Sequence, residues 1–323
     1  MTEPLFLKPV FQPKIWGGRK LETEFGYDLP DGDIGELWAI SAHPHGPSTI
    51  ENGPLAGKTL AQAWRDDQDY FGHQPGKVFP LLTKILDAED SLSVQVHPDD
   101  TYAAAHEAPG ELGKTESWYV ISAEPGAYLI YGHHAKTRAE LEAMIKAGQW
   151  DDLLRKVPVK TGDFFYVPSG TIHALNKGIM VLETQQSSDT TYRLYDYDRT
   201  DKAGHKRELH LQQSIDVTTV PHVDPKLNIQ TAKVQDATIT TFVQPPMSPF
   251  FAVYRIVLAG NLNQTAQAPY TLVSVLNGEG TFVADGGSSP IKRGMDFIIP
   301  NQITEWKFSG NLEMIVSTPG NEA

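Results

Sequence analysis

Apolar and polar residues alternate in short runs along the first two thirds of this chain, and Gly, Pro, Asn or Asp closes most of them. Period-two runs between turn residues predict β-strands. They fall at 81–85, 92–97, 118–121, 128–131, 164–167 and 180–185, a spacing that predicts a sandwich or barrel and not βαβ units. Helical periodicity is confined to two stretches. One covers about 59–70, and the other runs from Thr137, a candidate N-cap with Glu140 at the capping-box position, to about Val157. The Pro-punctuated segment 220–225 reads as a linker, and strands resume near Asn228. The expectation is a mainly β chain with a few short helices, in two units at 1–225 and 226–323.

Three of the predicted strands carry polar residues that call for an explanation. In 91–98, Leu92, Val94 and Val96 alternate with Ser93, Gln95 and His97, so an extended chain sends each set to its own face. A half-buried strand normally turns Lys, Glu or Thr to water, whereas Gln-x-His places two metal-competent groups roughly 7 Å apart on one face. Lys114, Glu116 and Trp118 likewise share a face, leaving Tyr119 and Ile121 on the other. In 162–173, a strand lies between a turn glycine and a Pro-x-Gly bend, and His173 follows the bend, where a sheet corner can aim it inward. Two histidines, a carboxylate and an amide form an N/O donor set that suits Zn²⁺ or another divalent first-row metal. His43-Pro44-His45, with Glu51 downstream, imitates such a site, but Pro44, Gly46 and Pro47 exclude a regular central strand there. His133, His134, His205, His210 and His222 are expected to be structural.

Composition narrows the partners. At 323 residues, with 40% apolar and 21% charged residues, the chain can build a substantial core. It has no cysteine, which excludes disulfides and thiolate-bound zinc. Met1-Thr2-Glu3-Pro4 has neither a basic n-region nor an h-region, and no apolar run is long enough to span a bilayer, so a cytoplasmic location without membrane insertion is expected. A net charge of −13 argues against a nucleic-acid partner. It leaves room for a small anion, since a few cations inside an acidic protein can hold one phosphate. Lys84, Lys114, Arg193 and Arg199 are the candidates: Lys114 shares the face of Glu116, and Arg193 lies in an aromatic-rich loop, 190–199, after the strand that contains Glu183.

The 162–173 segment resembles the second motif of the cupin superfamily, with Asn176 one residue nearer the histidine than in the usual pattern. Residues 293–305 line up with 161–173, preserving the Gly-to-Pro and Pro-to-ligand spacings but with Glu305 in the place of His173. Upstream, 275–283 looks like a cupin strand pair without His-x-His, so a second jelly roll lacking the metal is expected.

Taken together, Trp16-Gly17-Gly18, 35–41, 79–84, 92–100, Lys114-Thr115-Glu116, 166–173 and 183–193 stand in the order found in mannose-6-phosphate isomerases of the short bacterial type, and the chain resembles that family over roughly residues 5–210. The resemblance implies a mainly β protein of two cupin-type jelly-roll domains, without the long helical insertion of the larger eukaryotic members. It implies one Zn²⁺ per chain on Gln95, His97, Glu116 and His173, with Lys114, Glu183 and Arg193 around the reacting carbons. Ser93, Lys84 and Arg199 take the phosphate side. The implied reaction interconverts mannose 6-phosphate and fructose 6-phosphate, moving a proton between C1 and C2 through an enediolate whose developing charge needs a fixed positive centre. Glu183 or a metal-activated water could act as base, whereas Arg193 is normally too basic. Two other readings share these residues. A non-haem Fe(II) oxygenase uses a similar donor set but has no use for the cations, and a non-catalytic sugar-phosphate-binding cupin would bind tightly without turnover.

Overall fold

The structure, a computed structural model, describes residues 3–200 and 204–323. The alternating runs form strands in three sheets. Phe164–Val167, Glu116–Ala123, Ile179–Gln186, Leu81–Ala88, Val10–Gly18 and Ile34–Ile40 form a six-stranded sheet in that order, and Ile34–Ile40 also pairs directly with Leu81–Ala88. Tyr192–Tyr195, Val94–Val96, His173–Leu175, Tyr128–His133 and Leu154–Pro158 form a five-stranded sheet. The two close on a shared apolar layer in which Trp118, Val120 and Val181 of the first meet Leu129, Tyr131 and Leu175 of the second. This is the first jelly roll.

The third sheet has nine strands and is built on three long ones, Phe251–Thr265, Thr271–Ala284 and Glu305–Pro319. It also takes in the start of the chain: Leu5–Lys8 pairs antiparallel with Asp296–Ile299, and Thr49–Ile50 pairs with Leu5–Lys8 in turn. Backbone hydrogen bonding therefore ties the N-terminal segment to the C-terminal jelly roll.

Between the two jelly rolls the six-stranded sheet has no wet face at its centre. Every residue of Leu81–Ala88 and Ile179–Gln186 is buried. Trp118 and Val181 point into the first jelly roll, while their neighbours Tyr119 and Leu182 join Ile85 in a core with Phe242, Phe251, Leu272 and Ile315 of the C-terminal part. Phe164 stacks on Phe242 with centroids 4.5 Å apart, and Thr184 Oγ1 lies 3.1 Å from Ser317 Oγ.

The helices are short, and their caps explain where they begin. Thr59 and Gln62 form a full capping box at the start of Leu60–Asp66. Thr137 caps Arg138–Lys146, though Glu140 reaches the amide of Lys136 at 2.7 Å and not that of the cap. This second helix is shorter than its sequence pattern predicts. Gly148, at φ 66°, takes the left-handed conformation that ends helices. After one further turn at Trp150–Leu153, residues Leu154–Pro158 pair with Tyr128–His133 as an edge strand. Leu141 and Ile145, with Ile215 of the helix Leu211–Val217, cover the outward apolar side chains Val94 and Val96. Among the described residues no helix is long and apolar enough to cross a membrane.

Trp64, Phe71, Phe79 and Tyr270 form an aromatic cluster that joins the helical segment to the C-terminal jelly roll, with Tyr270 5.3 Å from Phe79 and 5.7 Å from Phe71. The Tyr270 hydroxyl is buried without a hydrogen-bond partner. Removing it relieves a desolvated polar group, so Tyr270→Phe is expected to be neutral or to stabilise by about 1 kcal/mol. Tyr270→Ala, which opens a cavity, should cost about 3–5 kcal/mol. Urea unfolding measures both.

Candidate metal centre and adjoining cavity

Each sheet of the first jelly roll contributes to one buried cluster. Gln95 lies on Val94–Val96, His97 follows that strand, and His173 opens the neighbouring strand with its Cα opposite Gln95. Glu116 opens its own strand on the facing sheet. The donor atoms of His97, Glu116 and His173 all lie within 4.8 Å of one another, and all three residues are buried. Among the described residues no other group of His, Asp and Glu converges in this way. His173 Nε2 is 3.1 Å from Glu116 Oε1, His97 Nε2 is 3.5 Å from Glu116 Oε2, and Gln95 Nε2 is 3.3 Å from His173 Nε2. A half-turn of the Gln95 amide brings its oxygen to the same place.

Hydrogen bonding shows what this cluster lacks. His173 Nδ1 donates to the Thr171 carbonyl at 2.8 Å, which leaves the lone pair on Nε2, facing Glu116. His97 Nε2 and both Glu116 oxygens are buried with no hydrogen-bond partner. Burial, reinforced by Lys114, pushes the His97 pKa down to about 3, so its imidazole is neutral. Burial opposes ionisation of Glu116, but the Lys114 ammonium is the leading cause that holds its carboxyl well below the usual range. Desolvated lone pairs are costly when nothing donates to them. Neutral imidazole, carboxylate and amide donors converging on one point fit a divalent metal ion.

The cavity beside this cluster is lined by Lys14, Lys84, Lys114, Arg193 and Arg207 and by three carboxylates, Glu36, Glu183 and Asp189. Ser93 and Gln95 also line it, as do Trp16 and Thr191. Lys114 Nζ lies 3.5 Å from Glu116 Oε2. Glu183 Oε2 accepts from Trp118 Nε1 at 2.8 Å, leaving Oε1 3.7 Å from Lys84 Nζ. Burial, then the Glu116 carboxylate, raises the Glu183 pKa, against the pull of Lys84 and Lys114. Arg193 Nε donates to Ser93 Oγ at 3.3 Å, and its Nη1 donates to the Glu208 carbonyl at 2.9 Å. Burial followed by Arg207 lowers the Arg193 pKa.

Arg199 is placed differently. It is not among the residues that line the cavity. Its guanidinium sits 2.6 Å from Asp196 Oδ1 and 5.2 Å from the Tyr197 ring, and also bonds the Ser91 carbonyl. The same Asp196 carboxylate holds Arg207, whose Nε donates to Oδ2 at 2.8 Å and which does reach the cavity wall.

Four lining residues, Glu36, Asp189, Lys14 and Arg207, are not singled out by sequence reasoning. Glu36 had a usable signal, because it shares strand parity with Trp38 in the way Glu116 does with Trp118. The His43–His45 pair serves the wall instead of a metal: His45 Nδ1 lies 3.0 Å from Asp189 Oδ2, and His43 packs edge-on against Trp38. His133 and His222 bond Thr219 and Asp224.

This fold and site define a two-cupin protein with a buried metal-competent centre. Residues 5–128 match the model of the phosphomannose isomerase type I catalytic domain, and residues 238–319 match that of the mannose-6-phosphate isomerase cupin domain. The chain is 54% identical to mannose-6-phosphate isomerase of Streptococcus mutans, over 98% of each chain. It is 50% identical to mannose-6-phosphate isomerase ManA of Bacillus subtilis, over 98% of this chain and 99% of that one. The crystal structure of the mannose 6-phosphate isomerase from Bacillus subtilis superposes with a TM-score of 0.93 at 48% identity, covering 98% of this chain and 99% of the other. A phosphomannose isomerase mutant from Salmonella typhimurium, 17% identical with a TM-score of 0.78 over 99% of this chain and 100% of its own, shares the fold. The chain belongs to the mannose-6-phosphate isomerase family.

Glu116→Gln and His173→Ala should each lose bound divalent metal while the jelly roll remains folded, because the core around the donors is apolar. Emission spectroscopy together with far-UV circular dichroism checks this; stoichiometric metal in both variants would refute the donor set.

Proposed function

We propose that the protein interconverts mannose 6-phosphate and fructose 6-phosphate, with one Zn²⁺ held by Gln95, His97, Glu116 and His173. The observation that carries this reading is the convergence of His97, Glu116 and His173 on one point, with His97 Nε2 and both Glu116 oxygens buried and unpartnered, beside a cavity that has five cationic residues in its wall. Membership of the family supports it. When bound, the metal supplies the fixed positive charge that a developing enediolate needs.

The remaining roles fall to side chains. Glu183 takes the proton from one sugar carbon and returns it to the next. One of its oxygens is anchored by Trp118, which leaves the other for the proton, and its raised pKa favours accepting it. Lys114, beside Glu116, binds a sugar oxygen next to the reacting carbons, and so does Lys84, which belongs to the sugar end and not to the phosphate side because its ammonium lies between Glu36 and Glu183. A phosphate dianion is repelled by Glu36 and Asp189, so it belongs at the end where Ser93, Arg193 and Arg207 meet. Arg193 also reaches toward the reacting carbons, since its Cα lies opposite Gln95. Arg199 acts on the phosphate end through Asp196, which it shares with Arg207. The cations disfavour an oxygenase acting on a neutral substrate.

A coupled assay for fructose 6-phosphate formation, run before and after chelation, tests the reaction. Activity that is abolished by chelation and restored by Zn²⁺ is expected; tight sugar-phosphate binding without turnover would favour a non-catalytic cupin. Arg207→Ala and Arg199→Ala should mainly raise KM, as for contacts made equally in ground and transition states, whereas Arg193→Ala should lower kcat. Reversal of this pattern in steady-state kinetics would exchange the two roles.

The C-terminal jelly roll has Glu305, an exposed residue, at the position matching His173. The full-length protein should therefore carry one metal, and Glu305→Ala should release none. A second tightly bound metal lost on that change would overturn this assignment.

A further inference from the structure

Four side chains from four adjacent strands form a row across the cavity face of the six-stranded sheet. The Cα of Trp38 lies opposite Lys84, that of Lys84 opposite Glu183, and that of Glu183 opposite Trp118. Directly paired residues project to the same side, so the row is fixed by register. Glu36, two residues before Trp38, joins it on that face.

The row has an approximate symmetry about Lys84. On one side Glu183 accepts from Trp118 Nε1 at 2.8 Å and lies 3.7 Å from Lys84 Nζ. On the other, Glu36 Oε2 accepts from Trp38 Nε1 at 2.7 Å and lies 3.8 Å from the same ammonium. Both separations exceed hydrogen-bond range, so the ammonium is shared by two carboxylates and captured by neither. Lys84 Nζ also lies 4.8 Å from the Trp38 ring centroid, and Lys14 neutralises the other oxygen of Glu36 at 3.3 Å. Glu36 is buried and lines the cavity, yet metal donation, proton transfer and phosphate binding leave it without a role.

We propose that Glu36 is a positioning residue that holds the Lys84 ammonium midway between two anchored carboxylates. Without the Glu36 charge, Lys84 moves onto Glu183 and closes it into an exclusive ion pair. The donors of Lys84 are then lost to the sugar, and the Glu183 oxygen that serves as base is blocked. The Trp38 indole has a second purpose in this arrangement, since it fixes the carboxylate of Glu36 as Trp118 fixes that of Glu183. This inference rests on the placement of Lys84 and Glu183 at the reacting sugar.

The test is a double-mutant cycle on the full-length, Zn²⁺-loaded protein, with mannose 6-phosphate as substrate. Glu36→Gln keeps an oxygen for the Trp38 indole and removes only the charge. It should lower kcat about tenfold with KM changed less than about twofold, while the melting temperature and metal content stay at wild-type values. In a Lys84→Met background, Glu36→Gln should cost nothing further, because its effect passes through Lys84. Trp38→Phe, which frees the Glu36 carboxylate, should lower kcat in the same direction and keeps the test open if Glu36→Gln fails to fold. Wild-type kcat in Glu36→Gln, or an additive loss in the double variant when Lys84→Met alone is impaired, would overturn the positioning role and leave the functional reading intact. Full activity in Lys84→Met would instead overturn the placement of Lys84 at the sugar, and this inference with it.

Discussion

The site depends on keeping ionised groups inside a desolvated cavity. Glu116, Glu183 and Lys84 are all buried, and an unpaired charge in such a place carries a penalty of several kcal/mol. Each is balanced by a specific neighbour: Glu116 by Lys114, Glu183 by Trp118 and Lys84, and Lys84 by two carboxylates. These balances hold only at fixed distances, because interaction strength changes steeply with separation in a low dielectric. The framework must therefore hold these groups beside their partners, and the fold has to provide that.

The C-terminal jelly roll meets this demand, and none of its described residues lines the cavity. Its apolar side covers the outer face of the sheet that carries Glu116, Lys84 and Glu183, so the central strands are buried on both sides. Leu5–Lys8, hydrogen-bonded into the C-terminal sheet, leads directly into Val10–Gly18 of the catalytic one. Close backbone approach adds to this stiffness. A Cβ on Gly35 would lie 2.6 Å from Lys14 Cβ and 2.7 Å from the Trp16 ring, so Glu36 can hold its place only if a glycine precedes it.

Most of the metal-competent cluster is legible in the sequence because each candidate donor carries a local signal. Gln95 and His97 break the expected chemistry of a strand face, Glu116 shares parity with Lys114, and His173 follows a bend that fixes its direction. The rest depends on pairings between distant segments. Nothing near Glu36 in the chain reveals that Trp38 will lie opposite Lys84, a registration set by packing between strands some 46 residues apart. Arg199 and Arg207 are equivalent as sequence, and in the fold both pair with Asp196, Arg207 at the cavity wall and Arg199 beside the Tyr197 ring. The helix starting at Arg138 shows the same limit. Its cap is local and readable, but its end is decided by Gly148 and by an edge strand that pairs with Tyr128–His133.

A net charge of −13 coexists with a cavity wall of five cations and three carboxylates, so the local field decides binding. In the isomerisation proposed here the phosphate is untouched, and substrate and product carry it alike. Cations at that end lower the free energy of substrate, transition state and product together, which improves capture without speeding the chemical step. Discrimination between ground and transition states falls to the other end, where charge develops on the sugar oxygens. The structure is divided accordingly. Arg207 belongs to the loop beyond the strand Tyr192–Tyr195, whereas Glu116, Lys84 and Glu183 stand on central strands of the six-stranded sheet. Tolerance lies where binding is uniform, and rigidity lies where the barrier is set.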